Sequence, residues 1–366
     1  MDKRKILKSG MALFMALGLT AGATPAAEAG NAIGVIGALF SGAAQYKAMD
    51  AYIEKINDTE EGRQAYLQEM KEQQGVSDDW YHTSMLDSIM SNLTDGVAAY
   101  DESIYDKPFL YFLNNDTSFN ASCGLGHVMT VNIGLFSISD NTDEVAFVLA
   151  HEMAHGMKDH SVHGTKKKMR TAIGASVAAQ SMGGGTLAGV AMSAVVGQIN
   201  NVQITKKQEW QADNLAFDYA YAAGYNPGAG AALWQRVYEK NGEFKNSLVG
   251  EIFSPNDHPS HEERRDNYEK KMTELSENHV TIKKGTDTVQ VNGKDFTTPA
   301  AGNDMTSTER KYFLMGNLSA AYAHGEAKKA AYASDGTVYL GNQAIMTPNG
   351  EDESAEALAK RLNEIK

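Results

Sequence analysis

The sequence contains very little cysteine. Cys123 is the only one among 366 residues, and a single thiol cannot close a disulfide within the chain. A disulfide framework is therefore excluded, and we expect stability to come from a packed core, with or without help from a metal ion. Cys123 also lies far beyond any N-terminal cleavage site, so it is not the lipid-bearing cysteine of a lipoprotein.

Basic residues are also in the minority. The chain has 33 Lys and Arg against 46 Asp and Glu, a formal net charge of -13. Nucleic-acid binding requires clustered basic side chains, so no nucleic-acid partner is expected. The 42% apolar fraction excludes intrinsic disorder, and 34 Gly with 7 Pro exclude collagen and low complexity. The length suits one large or two medium domains.

Long hydrophobic runs are few, and one of them stands at the N-terminus. A basic stretch ending at Lys8 precedes the apolar residues 11–19, and residues 27–29 (Ala-Glu-Ala) have the form of a cleavage site. This pattern predicts a signal peptide over residues 1–29 and an exported protein of the periplasm, the cell envelope or the medium. A retained membrane anchor is the alternative, because residues 32–44 are also uncharged.

A second uncharged run covers residues 171–205. It is rich in Ala, Gly and Ser, and three glycines at 183–185 divide it. Its modest hydrophobicity favours two short helices packed on the protein itself. A membrane-associating or re-entrant hairpin is the alternative.

The spacing of apolar residues changes along the chain. It predicts helices over residues 30–104 and short strands at 109–113 and 127–133. After about residue 281, two hairpins are each followed by a helix, but the copies share too little sequence to indicate a repeat. We therefore expect an α+β fold, with a mainly helical domain over residues 30–280 and a small α+β appendage over 281–366.

The strongest motif is the segment His151–His155, which reads His-Glu-Met-Ala-His. It lies on a predicted helix with Asn141 as N-cap and Glu144 completing a capping box. Residues four apart share one face of a helix, so both imidazoles can bind one ion. Glu152 lies beside them, where a metalloprotease needs its general base. The alternative is an ordinary polar helix with two hydrogen-bonded histidines.

A catalytic zinc needs a third protein ligand and leaves the fourth position open. His160 and His163 are near in sequence, but His160 is half a turn away from His151, so we expect both behind the ligands or at the surface. Glu209 is the better candidate for the third ligand. Asp213, one helical turn later, is placed to accept the free N–H of a ligand histidine.

Taken in order, these motifs resemble those of the HtpX and CAAX-prenyl-protease type of gluzincin metallopeptidases, and most closely their soluble exported members. The matching segments are Val148–Gly156, Glu209–Asp213, Ala222–Pro227 and His258–Arg264. The resemblance covers Tyr46 to Met272 and leaves out the appendage. The membrane-embedded branches carry long hydrophobic spans that are lacking here apart from 171–205, so processing of prenylated peptides is not expected.

The resemblance implies a zincin-type metallopeptidase core with one Zn2+ per chain, bound by His151, His155 and Glu209. It also offers His258 and Arg264 as groups that stabilise the tetrahedral oxyanion, or His258 as a gate at the open zinc position. The residues alone leave two alternatives open, a surface loop histidine for His258 and a structural ion pair for Arg264.

The resemblance further implies an edge strand that holds the substrate. Residues 120–121 and the strand at 128–133 fit it, so extended polypeptide is the expected partner, bound by main-chain pairing. The predicted substrate-binding residues of this strand region are Asn120, Ala121, Val128, Thr130 and Asn132.

These observations predict an exported zinc endopeptidase that acts on unfolded or misassembled proteins. One alternative is a chaperone or assembly factor on the same scaffold, weakly proteolytic or gated, whose appendage binds a protein partner. Another is a non-enzymatic envelope protein with a structural zinc. A structural site is closed by a fourth protein ligand, so an open position argues against that last alternative.

Overall fold

The computed structural model describes residues 42–181, 204–243 and 259–366. The predicted signal peptide at 1–29, most of the uncharged run at 171–205 and His258 lie outside these residues. Within the described ranges, no helix is both long enough and apolar enough to cross a membrane.

The described chain begins with three helices, as the apolar spacing predicts. Thr59 and Asp79 cap the second and third, since each side chain accepts a hydrogen bond from a main-chain N–H of the first turn. The helices are α1 (Gly42–Asp58), α2 (Glu60–Gln74) and α3 (Trp80–Ala98).

A three-stranded sheet follows, made of β1 (Leu110–Asn114), β2 (Ala121–Cys123) and β3 (Val128–Asn132). The strand order is β1-β3-β2, so β3 lies in the centre, parallel to β1 and antiparallel to β2.

The central position of β3 corrects one prediction. Val128, Thr130 and Asn132 were expected on a substrate-binding edge strand, but both hydrogen-bonding sides of β3 are taken by its neighbours. The prediction is wrong for these three residues, because a strand paired on both sides has no main-chain groups left for a peptide. Ala121 is the first residue of β2, which is an edge strand, and Asn120 directly precedes it.

Within the described ranges, six further helices belong to the part of the chain that carries the motifs. Of these, α5 is buried on nearly every side, including its two histidines and Glu152, and it packs against α7. The helices are α4 (Leu135–Ile138), α5 (Thr142–Met157), α6 (His160–Ser181), α7 (Lys206–Ala222), α8 (Ala229–Glu243) and α9 (His261–Leu275).

The N-terminus of α5 is capped by Asn141, whose side chain accepts hydrogen bonds from the main-chain N–H groups of Asp143 and Glu144. The predicted capping box is not formed. The Glu144 carboxylate is fully buried, where it accepts a hydrogen bond from the Ser139 hydroxyl and lies 3.5 Å from the Arg236 guanidinium. The Glu144 side chain contacts Ser139 and Arg236 instead of the main chain at the start of α5, so it does not form the capping box.

The C-terminal part contains two units of the same design, each a three-stranded antiparallel meander followed by a helix. The first unit comprises β4 (Val280–Ile282), β5 (Val289–Val291), β6 (Lys294–Thr297) and α10 (Ser307–Ala323). The second comprises β7 (Ala331–Ser334), β8 (Thr337–Leu340), β9 (Gln343–Met346) and α11 (Ala355–Ile365).

The second and third strands of the two units match residue by residue, so the units form a repeat that the sequence comparison did not indicate. Thr288–Pro299 corresponds to Thr337–Pro348, with a bulge at the same place in each meander. The pair Thr288 and Thr298 is joined through its hydroxyl groups at 2.7 Å, and the equivalent pair in the second unit at 2.9 Å. Each helix packs on the first two strands of its own unit and on the third strand of the other.

The repeat packs directly on the motif-bearing part through one continuous apolar core. At the contact, the Asn226 amide donates to the main-chain carbonyl of Phe313 and to the side chain of Asn317. Gly228 and Gly316 permit the close approach, because a Cβ on Gly316 would lie 2.4 Å from the Gly228 nitrogen. The boundary near residue 280 remains a prediction.

Candidate metal centre

Packing of α5 against α7 brings His151, His155 and Glu209 together in the interior. His151 Nε2 lies 3.0 Å from His155 Nε2 and 3.5 Å from Glu209 Oε2. His155 Nε2 lies 3.4 Å from Glu209 Oε1. All three side chains are buried, and no other residue of the described ranges joins this group of donors.

These donors fit one small divalent ion. Bonds of about 2.0–2.1 Å at tetrahedral angles place ligand atoms roughly 3.3–3.4 Å apart. The three separations, 3.0, 3.4 and 3.5 Å, are close to that value. Two imidazoles and a carboxylate are also ligands that zinc accepts, so the residues predicted to bind it are those that the fold brings together.

Asp213 contacts the outer nitrogen of the first ligand. Its Oδ1 lies 3.0 Å from His151 Nδ1, and the Tyr268 hydroxyl donates to the same oxygen at 3.2 Å. Burial opposes ionisation of Asp213, but the guanidinium of Arg264 and His151 together lower its pKa below the ordinary value. The carboxylate is therefore charged and can accept the proton on His151 Nδ1, which is the arrangement predicted for it.

Arg264 is buried, with 1% of its surface exposed. Its Nε donates to Asp213 Oδ2 at 2.8 Å, and its guanidinium carbon lies 4.0 Å from the centre of the Trp234 ring. Its Nη2 also lies 3.0 Å from His151 Nδ1. Because two N–H groups cannot bond each other, we assign the His151 proton to Asp213. The sequence left open whether Arg264 forms a structural ion pair, and the structure contains such a pair between Arg264 and Asp213. A role of Arg264 toward the substrate stays a prediction.

His160 lies behind the second ligand, as expected for a residue half a turn from His151. Its Nδ1 is 2.9 Å from His155 Nδ1, and its Nε2 is 3.1 Å from Gln211 Oε1. His163 is exposed, and its Nδ1 lies 2.8 Å from the main-chain carbonyl oxygen of Asp159, one helical turn earlier. Gln211 was not predicted as a site residue. Its position between Glu209 and Asp213 was the feature of the sequence that could have indicated it.

Glu152 is held beside the donor group by the sheet. The main-chain N–H of Cys123, at the end of β2, donates to Glu152 Oε2 at 3.0 Å. Burial raises the pKa of Glu152 to about 7, and the neighbouring His151 opposes that rise. A carboxylate with a pKa near neutral can both take and return a proton, which is what a general base requires.

A cleft opens beside Glu152 and His151. Its walls are mostly apolar and come from the segment before β2 and from α4, α5, α8 and α9. Sequence reasoning did not identify Trp234 or Tyr268, because nothing near them in the sequence marks a site. The lining residues are Phe119, Asn120, Ala121, Leu135, Phe147, Val148, His151, Glu152, Leu233, Trp234, Arg264 and Tyr268.

Comparison with known proteins agrees with this centre. The family model described as Peptidase family M48 matches residues 84–271, about half of the chain. The beta-barrel assembly-enhancing protease of Escherichia coli K12 is 26% identical over 143 residues, which cover 36% of this chain and 29% of that protein.

A second relative matches over a greater share of its length. The metalloprotease LoiP of Escherichia coli K12 is 29% identical over 187 residues, 50% of this chain and 69% of that protein. The beta-barrel assembly-enhancing protease of Yersinia pestis is 24% identical over 141 residues, 37% of this chain and 29% of that protein. The matched region thus spans less than a third of each of these two assembly-enhancing proteases. The predicted metallopeptidase family is confirmed: this chain belongs to peptidase family M48.

Proposed function

We propose that this chain is a zinc-dependent endopeptidase that hydrolyses peptide bonds of unfolded or misassembled proteins in the cell envelope. The observation that carries the proposal is the buried group of His151, His155 and Glu209, with the Glu152 carboxylate next to it at the end of an apolar cleft. A purely structural centre has no need of a neighbouring carboxylate with a raised pKa.

His151, His155 and Glu209 would hold the ion, which when bound supplies Lewis acidity toward a water molecule and the scissile carbonyl. Glu152 takes a proton from the attacking water and returns it to the leaving amine. The Cys123 N–H fixes the orientation of Glu152, since it binds Oε2. Arg264 lines the cleft, and we keep for it the role of stabilising the oxyanion, with Asp213 holding its guanidinium in place.

The edge of β2 supports an extended polypeptide as substrate. Main-chain groups of Asn120 and Gly124 bond to the β3 side, so those of Ala121 and Cys123 point to the opposite edge. The N–H of Cys123 binds Glu152 and its carbonyl accepts from Ser161, so Ala121 is the residue whose main chain meets a peptide. The apolar cleft favours apolar side chains, which unfolded proteins expose.

The place of action is part of the proposal. Residues 1–29 support export, and the names of the relatives, a beta-barrel assembly-enhancing protease and a metalloprotease, support proteolysis linked to envelope assembly. Peripheral membrane association through residues 171–205 and a protein partner for the C-terminal repeat also remain proposals.

Replacing the general base tests the mechanism. Glu152→Gln should lower the cleavage rate of unfolded casein by at least about 10³-fold and leave bound zinc unchanged, because Glu152 is not among the donors. Zinc is measured by atomic absorption, and cleavage by release of fluorescent peptides. The matched control is Glu351→Gln at an exposed turn, which should change neither quantity. Unchanged cleavage by Glu152→Gln would contradict the proposed mechanism.

A main-chain change at the edge strand tests substrate binding. Ala121→Pro removes an N–H that points away from β3, and proline is tolerated at such positions of edge strands. We expect KM for an extended peptide to rise by about tenfold, since one main-chain hydrogen bond is lost, with the melting temperature little changed. The exposed substitution Ser122→Ala serves as control on the same strand. An unaltered KM would argue against binding along β2.

A further inference from the structure

The two ligand histidines are supported from behind by different groups. His151 Nδ1 faces the Asp213 carboxylate at 3.0 Å. His155 Nδ1 faces another imidazole, that of His160, at 2.9 Å, and His160 is itself only 3% exposed. The second nitrogen of His160 then lies 3.1 Å from the side-chain oxygen of Gln211. An uncharged pair of residues therefore stands where the first ligand has an anion.

The positions of the protons along this chain of contacts follow from the donor group. His155 presents Nε2 to the site, so a neutral ring must carry its single hydrogen on Nδ1. His160 Nδ1 then has to accept that hydrogen, and its own hydrogen lies on Nε2. The Gln211 side chain must in turn present its oxygen, which is the atom found there.

We infer that His160 and Gln211 form a relay that fixes the tautomer of His155 and thereby raises the affinity of the site for its metal ion. Both are positioning residues, since neither belongs to the donor group. The relay rests on the proposed function, because it presumes that the three donors bind an ion. With this relay, α7 supplies one ligand, Glu209, the outer partner of His151, Asp213, and the residue that orients His160, Gln211.

Gln211 permits a test by polarity, because it is exposed and can be changed without disturbing the core. Gln211→Glu keeps an acceptor, Gln211→Met removes it, and Gln211→Lys places a donor against His160 Nε2. We expect the Kd for zinc, measured by competition with a chromophoric chelator, to stay within about threefold for Glu. It should rise for Met and rise most for Lys, toward the roughly 10–100-fold range of outer-shell changes. The same order of zinc Kd values is expected in 1 M NaCl, which screens effects that arise only from the charge of residue 211.

His160 permits a test by rescue. His160→Phe keeps a ring but removes the acceptor, and should weaken zinc binding by about 10–100-fold. His160→Asn places an oxygen near the position of Nδ1 and should restore most of that loss. His163→Phe, at an exposed position three residues on, is the control and should leave the Kd unchanged.

A direct readout comes from ¹⁵N spectra of the zinc-loaded protein. They should show His155 protonated on Nδ1 and His160 protonated on Nε2. Protonation of His160 on Nδ1, or one zinc Kd for all Gln211 and His160 variants, would overturn the relay while leaving the metallopeptidase intact. Failure of the unaltered chain to bind zinc would instead overturn the proposed function.

Discussion

Asp213 and Arg264 carry opposite charges in the interior, and each depends on the other. Asp213 is fully buried and Arg264 nearly so, and the carboxylate also receives the Tyr268 hydroxyl. Burial of either charge by itself is costly, so the pair is stable only when both members are present. The orientation of the His151 ring therefore depends on two groups. The Asp213 carboxylate accepts its proton, and the Arg264 guanidinium, which binds no metal, stabilises that carboxylate.

This dependence predicts a reversal in a pair of variants. Asp213→Asn should lower the free energy of unfolding by about 3–5 kcal/mol, because the buried Arg264 guanidinium loses the carboxylate that it binds. The double variant Asp213→Asn with Arg264→Met should recover part of that loss, since the cation is then removed together with this carboxylate. Urea unfolding in the presence of a chelator measures both without a contribution from metal. Additive losses would show that the two charges are not coupled.

At the scale of helices and sheets, a cluster of two buried glutamates and one partly buried arginine links α5, α8 and α10. Arg236 of α8 lies 3.5 Å from the Glu144 carboxylate and 2.9 Å from that of Glu309. One guanidinium thus serves two carboxylates. Burial raises the pKa of Glu144 to about 7, with Arg236 and the Ser139 hydroxyl opposing the rise. At alkaline pH the folded protein must keep a poorly stabilised carboxylate at the start of α5.

The pH dependence of stability follows from that pKa. The folded state holds a proton on Glu144 more tightly than the unfolded state, so the stabilisation is complete below about pH 4.5 and is lost as the pH rises through about 7. Glu144→Gln should therefore raise the free energy of unfolding at pH 8.5 by on the order of 2 kcal/mol relative to its effect at pH 5.5. Urea titrations at both values test it, with Glu351→Gln as control. An equal effect at both pH values would contradict the prediction.

Prediction from the sequence was most successful where the evidence was local. The spacing within α5 and α7 identified His151, His155 and Glu209, because four residues make about one helical turn. The prediction that β3 is an edge strand was wrong, because strand order is decided by pairing between distant segments. The predicted capping box does not form because Glu144 pairs instead with Arg236, which lies far along the chain.

The internal repeat escaped notice for a related reason. Equivalent positions keep their burial but change their identity, as with Val291 and Leu340, or Phe296 and Ile345, all fully buried. On the outer face even the chemical class changes, from Gln290 to Tyr339. A fold tolerates such exchanges when volume and apolar character are kept, so two segments can share a structure with little common sequence.

At the scale of the whole molecule, the repeat and the peptidase part share one core and meet at a tight contact. Gly316 of α10 lies against Asn226 and Gly228, so close that a Cβ on Gly316 would be 2.1 Å from Asn226 Oδ1. A helix approaches another main-chain segment so closely only where a side chain is missing. Docking of the repeat is thus specified by backbone proximity, in addition to the apolar surface that it buries.

A single methyl group should therefore weaken the docking. Gly316→Ala should lower the free energy of unfolding by about 1–3 kcal/mol through overpacking, although alanine is the better helix former. The matched control is Gly350→Ala, where an added Cβ has no neighbour within 4 Å. Thermal unfolding and limited proteolysis between α9 and β4 measure the effect. A higher free energy of unfolding for Gly316→Ala would show that the contact accommodates the added methyl group without destabilising the protein.

The exchange of contacts between the two repeat units has a consequence for how they fold. Because α10 packs on β9 and α11 packs on β6, each meander finds part of its hydrophobic cover only after the other has been made. We therefore expect that neither unit folds on its own, because each lacks part of its hydrophobic cover without the other. The C-terminal part should accordingly gain or lose its structure in a single cooperative step.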